Sequence, residues 1–280
     1  MKIIVFAIPD YTNPILDALT NAGYEIIDVI RQSKSLKDDV FFEEFKKKNP
    51  DICVVAAYGK IIPKKYLVLP KYGFINIHPS LLPRYRGPSP IKTAILDGET
   101  LTGVSIMKVD EEMDHGPVIS SIKYPISSDK YHEEIQKDLW ELGAKLLIET
   151  LPNYISGETK PVPQDDSQAT FTKKFTRQNG RIDWSSSAEK IFNQIRALGD
   201  DPGVWTLWKG KSLNIRQAHP LTTSHVVSST GLVEYVDNEI AVATGKCYLV
   251  LRTIQLEGRK ETDAKSFVNG HPDFINSKLE

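Results

Sequence analysis

Asn76-Ile77-His78-Pro79-Ser80-Leu81-Leu82-Pro83 sets an amide and an imidazole two residues apart, and Met113-Asp114-His115-Gly116-Pro117 sets a carboxylate some 38 residues further on. If Asn76 and His78 end a strand, its period of two puts both side chains on one face. Amide, imidazole and carboxylate are the groups that moving an acyl group requires. They supply a donor for the oxyanion, a proton carrier, and a carboxylate that holds the carrier or takes a proton. Each motif alone also reads as a turn. It is the pair, with Leu81 and Leu82 held between Ser80 and Pro83 on a Pro-bounded loop, that points to chemistry beside a pocket for a flat apolar ligand. Tyr58-Gly59-Lys60-Ile61-Ile62-Pro63 reads either as a strand-to-helix turn or as a second wall of that pocket. Arg84 and Arg86 are either solvated charges or partners for anionic substrate groups.

The elements that must position these residues alternate between strand and helix. Lys2 to Ile8, Tyr24 to Arg31, Ile52 to Ala57 and Phe74 to His78 are apolar, β-branched runs. Asn13 to Asn21 and Phe41 to Lys48 read as helices between them, with Gly23 just past the end of the first and lysines closing the second. Such alternation predicts an α/β fold with a mainly parallel sheet covered on both faces, and ligands beyond the carboxyl ends of its strands. His78 stands at such an end. Thr102 to Val109 and Val118 to Ile126 predict a hairpin around the 110–116 loop, and Lys130 to Asn153 predicts the longest helix.

From Ser156 to Lys174 the pattern fades into Gly, Pro and polar residues, which suggests a linker. Beyond it Ser186-Ser187-Ala188-Glu189 has the form of a capping box before a helix. Five short strand-like runs follow, at Val204–Trp208, Leu213–Gln217, Gly231–Val236, Ile240–Thr244 and Cys247–Gln255, and predict a small barrel. The expected organisation is a catalytic domain over 1–157, a linker over 158–178 and a β-barrel domain over 179–280.

Other classes are disfavoured. No glycine-rich phosphate cradle follows the first strand, where Ile8-Pro9-Asp10-Tyr11 stands, so nucleotide binding of the Rossmann kind is not expected. There is no P-loop, no Gly-x-Ser-x-Gly elbow and no zinc spacing, and no metal is expected. Apart from His78 and His115, the histidines at 132, 219, 225 and 271 read as scattered surface residues. The 35 basic and 36 acidic side chains nearly cancel, so a strongly basic nucleic-acid binder is not indicated, although one face can still be basic. Cys53 and Cys247 lie far apart in apolar runs and read as small hydrophobes of a reducing compartment. The first apolar run reads as a buried strand and not as a leader. No apolar stretch approaches about 18 residues, so no membrane span is expected and the location expected is the cytoplasm.

Asn76-x-His78-Pro79-Ser80-Leu81-Leu82-Pro83 with Asp114-x-Gly116 resembles the folate-dependent formyltransferases. The resemblance implies a Rossmann-like catalytic domain with Asn76, His78 and Asp114 as catalytic residues and 10-formyltetrahydrofolate as formyl donor. It further implies that Ser80, Leu81, Leu82 and Pro83 border the folate, that Ile61 and Ile62 lie near the pterin, and that the loop from Asp110 to Asp114 stands beside it. Tyr85 to Ile91, Thr102 to Met107, Arg181-Ile182-Asp183-Trp184 and Gln255 to Lys260 are similar to segments of family members that act on charged initiator tRNA. This implies the α-amine of initiator methionyl-tRNA as acceptor, a C-terminal OB-like barrel and a monomer. In such members a long basic loop follows the second strand. Here only Gln32-Ser33-Lys34-Ser35-Leu36-Lys37-Asp38-Asp39 follows Arg31, which leaves a nucleotide-linked amino sugar as the alternative acceptor. A non-catalytic RNA- or folate-binding module is a third reading. Lys173, Lys174, Arg177, Arg181, Lys209, Lys211, Arg216, Arg259 and Lys260 are candidate phosphate contacts, or else a solvated face.

Overall fold

The computed structural model describes residues 1–8, 12–32, 35–221 and 229–280. Pro9, Asp10 and Tyr11 of the loop after the first strand, Ser33 and Lys34 of the run after Arg31, and His225 lie outside the described residues. The chain forms two units. One comprises Met1–Ile91, Thr100–Ser128 and Glu133–Lys173; the other comprises Lys92–Glu99, Asp129–His132 and Lys174–Glu280.

The elements of the first half are β1 (Lys2–Ala7), α1 (Asn13–Asn21), β2 (Glu25–Ile30), α2 (Asp39–Lys48), β3 (Ile52–Ala56), α3 (Lys64–Leu67), β4 (Phe74–His78), α4 (Pro90–Leu96), β5 (Leu101–Lys108), β6 (Val118–Pro125) and α5 (His132–Ser156). The six strands form one sheet in the order β2-β1-β3-β4-β5-β6. β1, β2, β3 and β4 pair in parallel, while β5 and β6 are antiparallel. The mainly parallel α/β sheet read from the sequence is therefore present, with the expected hairpin on its edge.

Strand alternation decides which face each β4 residue joins. Ile4, Phe6, Cys53, Val55 and Phe74 share one face and pack with Phe41, Phe45, Tyr58 and Tyr66 from the covering elements. The Phe74 ring lies 5.3 Å from Phe6 and 6.3 Å from Phe45, between centroids. Asn76 and His78 continue that face beyond the aromatic cluster. Ile75 and Ile77 point the other way. A side chain at Gly143 of α5 would come within 2.8 Å of Ile77, so this helix covers the opposite face closely. α2 starts two residues before the apolar run because Asp38 caps it, accepting from the Val40 N–H.

Residues 158–173, within the stretch read as a linker, hydrogen-bond to the first unit. Val162 exchanges both backbone bonds with Val118, and Thr170 and Thr172 bracket Arg86.

The second unit contains α6 (Ala188–Leu198), β7 (Trp205–Trp208), β8 (Lys211–Leu221), β9 (Val233–Val236), β10 (Glu239–Ala243), β11 (Tyr248–Leu256), β12 (Thr262–Asp263) and α7 (Ala264–Gly270). The strands pair antiparallel in the order β7-β8-β11-β10-β9, with β12 on β11. The terminal residues join the two ends of this path. Leu279 N–H donates to the Gly231 carbonyl and Val233 N–H to Ser277, while Glu280 and Leu207 exchange both bonds. The sheet thus closes into the small barrel that the spacing of short runs suggested, through a strap that the sequence did not announce. The helix cap is shifted from its expected place. Ser187, not Ser186, accepts from the Lys190 N–H, so Glu189 does not occupy the third helical position and no capping box forms.

Phe74→Ala removes the ring between Phe6 and Phe45 on the strand that carries Asn76 and His78. Loss of a buried phenyl group costs about 3–5 kcal/mol, and urea unfolding of the first unit should show a midpoint lowered accordingly.

Candidate active site

β4 delivers Asn76 and His78 to the end of the sheet, paired across β5 with Met107 and Ser105. The β5–β6 hairpin delivers Asp114. That hairpin closes only because residue 116 lacks a side chain. A Cβ at Gly116 would sit 2.0 Å from the Lys108 carbonyl oxygen. Asp114 itself adopts φ +51°, in the left-handed region that disfavours a residue with a Cβ.

The Asp114 carboxylate gathers the site. The Gly87 N–H donates to Oδ2 at 2.8 Å, and Asn76 Nδ2 donates to Oδ1 at 3.3 Å. His78 Nδ1 stands 3.6 Å from Oδ2, with the imidazole 5% and the carboxylate 15% exposed. This separation is too long for a hydrogen bond but short for two groups so little solvated. The other imidazole nitrogen, Nε2, lies 2.9 Å from the Tyr85 carbonyl oxygen. A carbonyl can only accept, so Nε2 carries a proton and Nδ1 is the nitrogen that gains or gives one on the Asp114 side.

The loop between Ser80 and Gly87 is held from beneath. Ser80 donates its hydroxyl to the Arg84 carbonyl at 2.7 Å, while Ser105 of β5 donates to the Ser80 carbonyl and accepts from the Leu82 N–H. Gly87 has φ +109°, and a Cβ there would lie 2.9 Å from Thr172 Oγ1. Only glycine can bring its N–H to Asp114 at this point.

The residues expected to border a folate take different places. Ser80 is fully buried with its hydroxyl engaged in the loop. The Leu81 side chain lies over Gly103, where a Cβ would be 2.5 Å from it. Leu82 and Pro83 are half-buried. Ile62 belongs to the aromatic core, whereas Ile61 is 72% exposed. Met113, beside Asp114, is 59% exposed. The loops bearing Ile61 and Met113 are joined by the Lys64–Glu111 ion pair at 2.6 Å. Apolar side chains left in water on two linked loops fit a flat, partly apolar ligand. Asp110 accepts from the Glu112 N–H and pairs through Oδ2 with His115 Nδ1 at 2.7 Å.

Several functional contacts were not legible in the residue types. The Gly87 N–H and the Tyr85 carbonyl are backbone groups; their only sequence signal is the Arg86-Gly87-Pro88 turn. Gln164 and Arg86 also belong to the site's support, with Gln164 lying in the polar run that reads as a linker. No cluster of three or more possible metal ligands is present among the described residues. No described helix is long and apolar enough to cross a membrane.

With this geometry in place, the comparisons with known proteins are direct. Residues 1–151 match the formyl transferase family and residues 174–272 match the formyl transferase C-terminal domain. The chain belongs to the formyl transferase family. Two relatives carry a more particular name. The chain is 35% identical to the methionyl-tRNA formyltransferase of Halalkalibacterium halodurans, over 96% of this chain and 95% of that one. It is 40% identical to the methionyl-tRNA formyltransferase of Caldicellulosiruptor saccharolyticus, over 88% and 79% respectively. In fold it also resembles HypX from Aquifex aeolicus, solved in complex with tetrahydrofolic acid. That likeness has a TM-score of 0.74 at 19% identity and spans 98% of this chain but 47% of the longer HypX chain.

The hydrogen bond to Asp110 raises the His115 imidazole above its ordinary value of 6.5, with further help from the charges of Asp110, Glu112 and Asp166. A raised value means that the pairing contributes fully below about pH 6.5 and is lost as pH rises through the folded-state value. Asp110→Asn should move the His115 titration, followed by NMR, down toward 6.5.

Proposed function

We propose that this chain transfers the formyl group of 10-formyltetrahydrofolate to the α-amine of initiator methionyl-tRNA. The observation that carries the reading is the meeting of Asn76, His78 and Asp114 in a formyl transferase chain. Identity of 35–40% to proteins named methionyl-tRNA formyltransferase, over most of both chains, supports the choice of acceptor.

The geometry supports the following roles. Asn76 Nδ2 is the side-chain donor at the rim of the site and turns toward the carbonyl oxygen as that oxygen gains charge. His78, wedged between the Tyr85 carbonyl and Asp114, adds positive charge beside the same oxygen when Nδ1 is protonated. Asp114 holds that charge in place and takes the proton that the attacking amine must lose. The same proton balances the one needed by the departing folate nitrogen. Burial of the imidazole and carboxylate keeps water from screening these charges. Leu82, Pro83, Ile61 and Met113 are the side chains available to grip the donor's flat ring system.

On the second unit, the basic residues expected to meet phosphates divide into three sets. Lys209 pairs with Asp273, and Arg216 pairs with Glu261. Arg177 and Arg181 stack on Trp205, at 5.3 and 5.7 Å from its ring centre. Lys174, Lys211, Arg259 and Lys260 are exposed and are our candidates for backbone contacts with the tRNA.

His78→Ala, Asp114→Ala and Asn76→Ala should each lower kcat for formyl transfer to charged initiator tRNA by roughly 100- to 1000-fold, the usual cost of removing one such group. Wild-type turnover in any of them would remove that residue from the mechanism.

The acceptor is tested by salt. A ligand held by several phosphates loses affinity by roughly three to five decades between 50 and 200 mM salt if six to ten are engaged. Methionyl-tRNA affinity should fall steeply with salt, while a shallow slope together with transfer to a nucleotide-linked amino sugar would reassign the substrate.

A further inference from the structure

Asp114 stands on the β5–β6 loop in a left-handed backbone conformation, φ +51°. What holds it comes from residues 164–172. Gln164 Nε2 donates to the Asp114 carbonyl at 2.9 Å and to the Gly116 carbonyl at 2.7 Å. Both of its N–H groups are thereby committed to the two residues that flank His115. Its Oε1 accepts from Arg86 Nε at 3.0 Å. Arg86 is 4% exposed and is further paired through Nη2 with Asp166 at 2.7 Å. The backbone of Arg86 is bracketed by Thr170 and Thr172, one bond from each, at 2.9 and 2.8 Å. Arg86 lies between Tyr85, whose carbonyl accepts from His78, and Gly87, whose N–H donates to Asp114.

Gln164 therefore joins two loops that meet in the site: the one that bears Asp114, and the one that orients His78 and anchors Asp114. We propose that Gln164, with Arg86 behind it, is the positioning residue that fixes Asp114 against His78. This rests on the catalytic reading of Asp114 given above. Gln164 touches no reacting atom. It acts by fixing the backbone from which the carboxylate springs, so its loss lets Asp114 drift, while the Ser80 and Ser105 bonds still hold the Ser80–Leu82 backbone.

The test uses the full-length chain. Gln164→Met keeps the length and removes both donors. Gln164→Glu keeps an acceptor for Arg86 and replaces both donors with a charged oxygen that faces the two carbonyls, so it tests the donors with the Arg86 contact retained. Both should lower kcat about 10- to 100-fold, the scale of an ångström-level misplacement, with the KM for the donor within about twofold of wild type. In an Asp114→Asn background the same substitutions should cost no further activity, since one interaction cannot be lost twice. A merely structural role would instead multiply with that background. A second readout needs no turnover. In ¹⁵N-histidine spectra, Gln164→Met should displace the His78 Nδ1 signal in the direction that Asp114→Asn displaces it. Wild-type kcat with an unmoved His78 signal, or independent losses in the double variant, would overturn the assignment. If the wild-type protein fails to formylate methionyl-tRNA while the His78 signal still responds to Gln164→Met, the acceptor reading fails and the positioning role stands.

Discussion

Everything in the first unit converges on one carboxylate in a costly backbone conformation. Asp114 sits at positive φ, where an L-residue loses roughly 1–2 kcal/mol. Two hydrogen-bond donors meet its oxygens, an imidazole faces it, and a glutamine holds its carbonyl. These four partners come from three stretches of chain: Asn76 and His78 from β4, Gly87 from the following loop, Gln164 from the segment after α5. Remove the carboxylate and β4 still ends in a polar pair, but nothing brings that pair into register with a proton acceptor.

The reason the pair can be there is the alternation of β4. Phe74 anchors the strand in the aromatic cluster, and each second residue beyond it stays on that face while leaving the apolar core behind. The strand thus changes from packing to chemistry within five residues without changing geometry. β5 runs antiparallel to β4, so the β5–β6 turn leaves at the Phe74 end, where Lys108 pairs with Ile75, and the loop after it brings Asp114 back to Asn76.

This explains what the sequence disclosed and what it withheld. Period-two alternation and the apolar runs gave the strands, and residue types gave the amide, imidazole and carboxylate. The hairpin was legible because Thr102 to Val109 and Val118 to Ile126 flank a turn-forming loop. The Gly87 N–H and the Tyr85 carbonyl were not legible, because every residue offers such groups and only the fold selects which are used. Gln164 was hidden for another reason. Its surroundings, Pro163-Gln164-Asp165-Asp166, are polar and lack periodicity, yet order comes to them from distant backbone partners and not from burial of their own apolar surface. Ile62 illustrates the converse: a position grouped with Ile61 as ligand-facing belongs to the core, since adjacent residues on a turn face different ways. Ser186 and Ser187 differ by one position, and propensity alone does not separate two serines before a helix.

Support from residues 164–172 also bears on how the Asn76, His78 and Asp114 group keeps its geometry. Met113 of the 110–116 loop is 59% exposed, and Leu82 and Pro83 of the 80–87 loop are half-buried. The rigidity of these loops has to come from hydrogen bonds that water does not easily replace. A bond from Gln164 to two carbonyls is strengthened on its far side by the guanidinium of Arg86, whose own charge is answered by Asp166, held below the usual carboxylate range chiefly by that arginine. His115 reaches Asp166 at 3.6 Å as well and Asp110 more closely, so the turn bearing Asp114 is tied at both of its ends. The polar segment that reads as a spacer is in this sense the back wall of the site, and polarity is what lets it bind two loops that could not afford to be apolar.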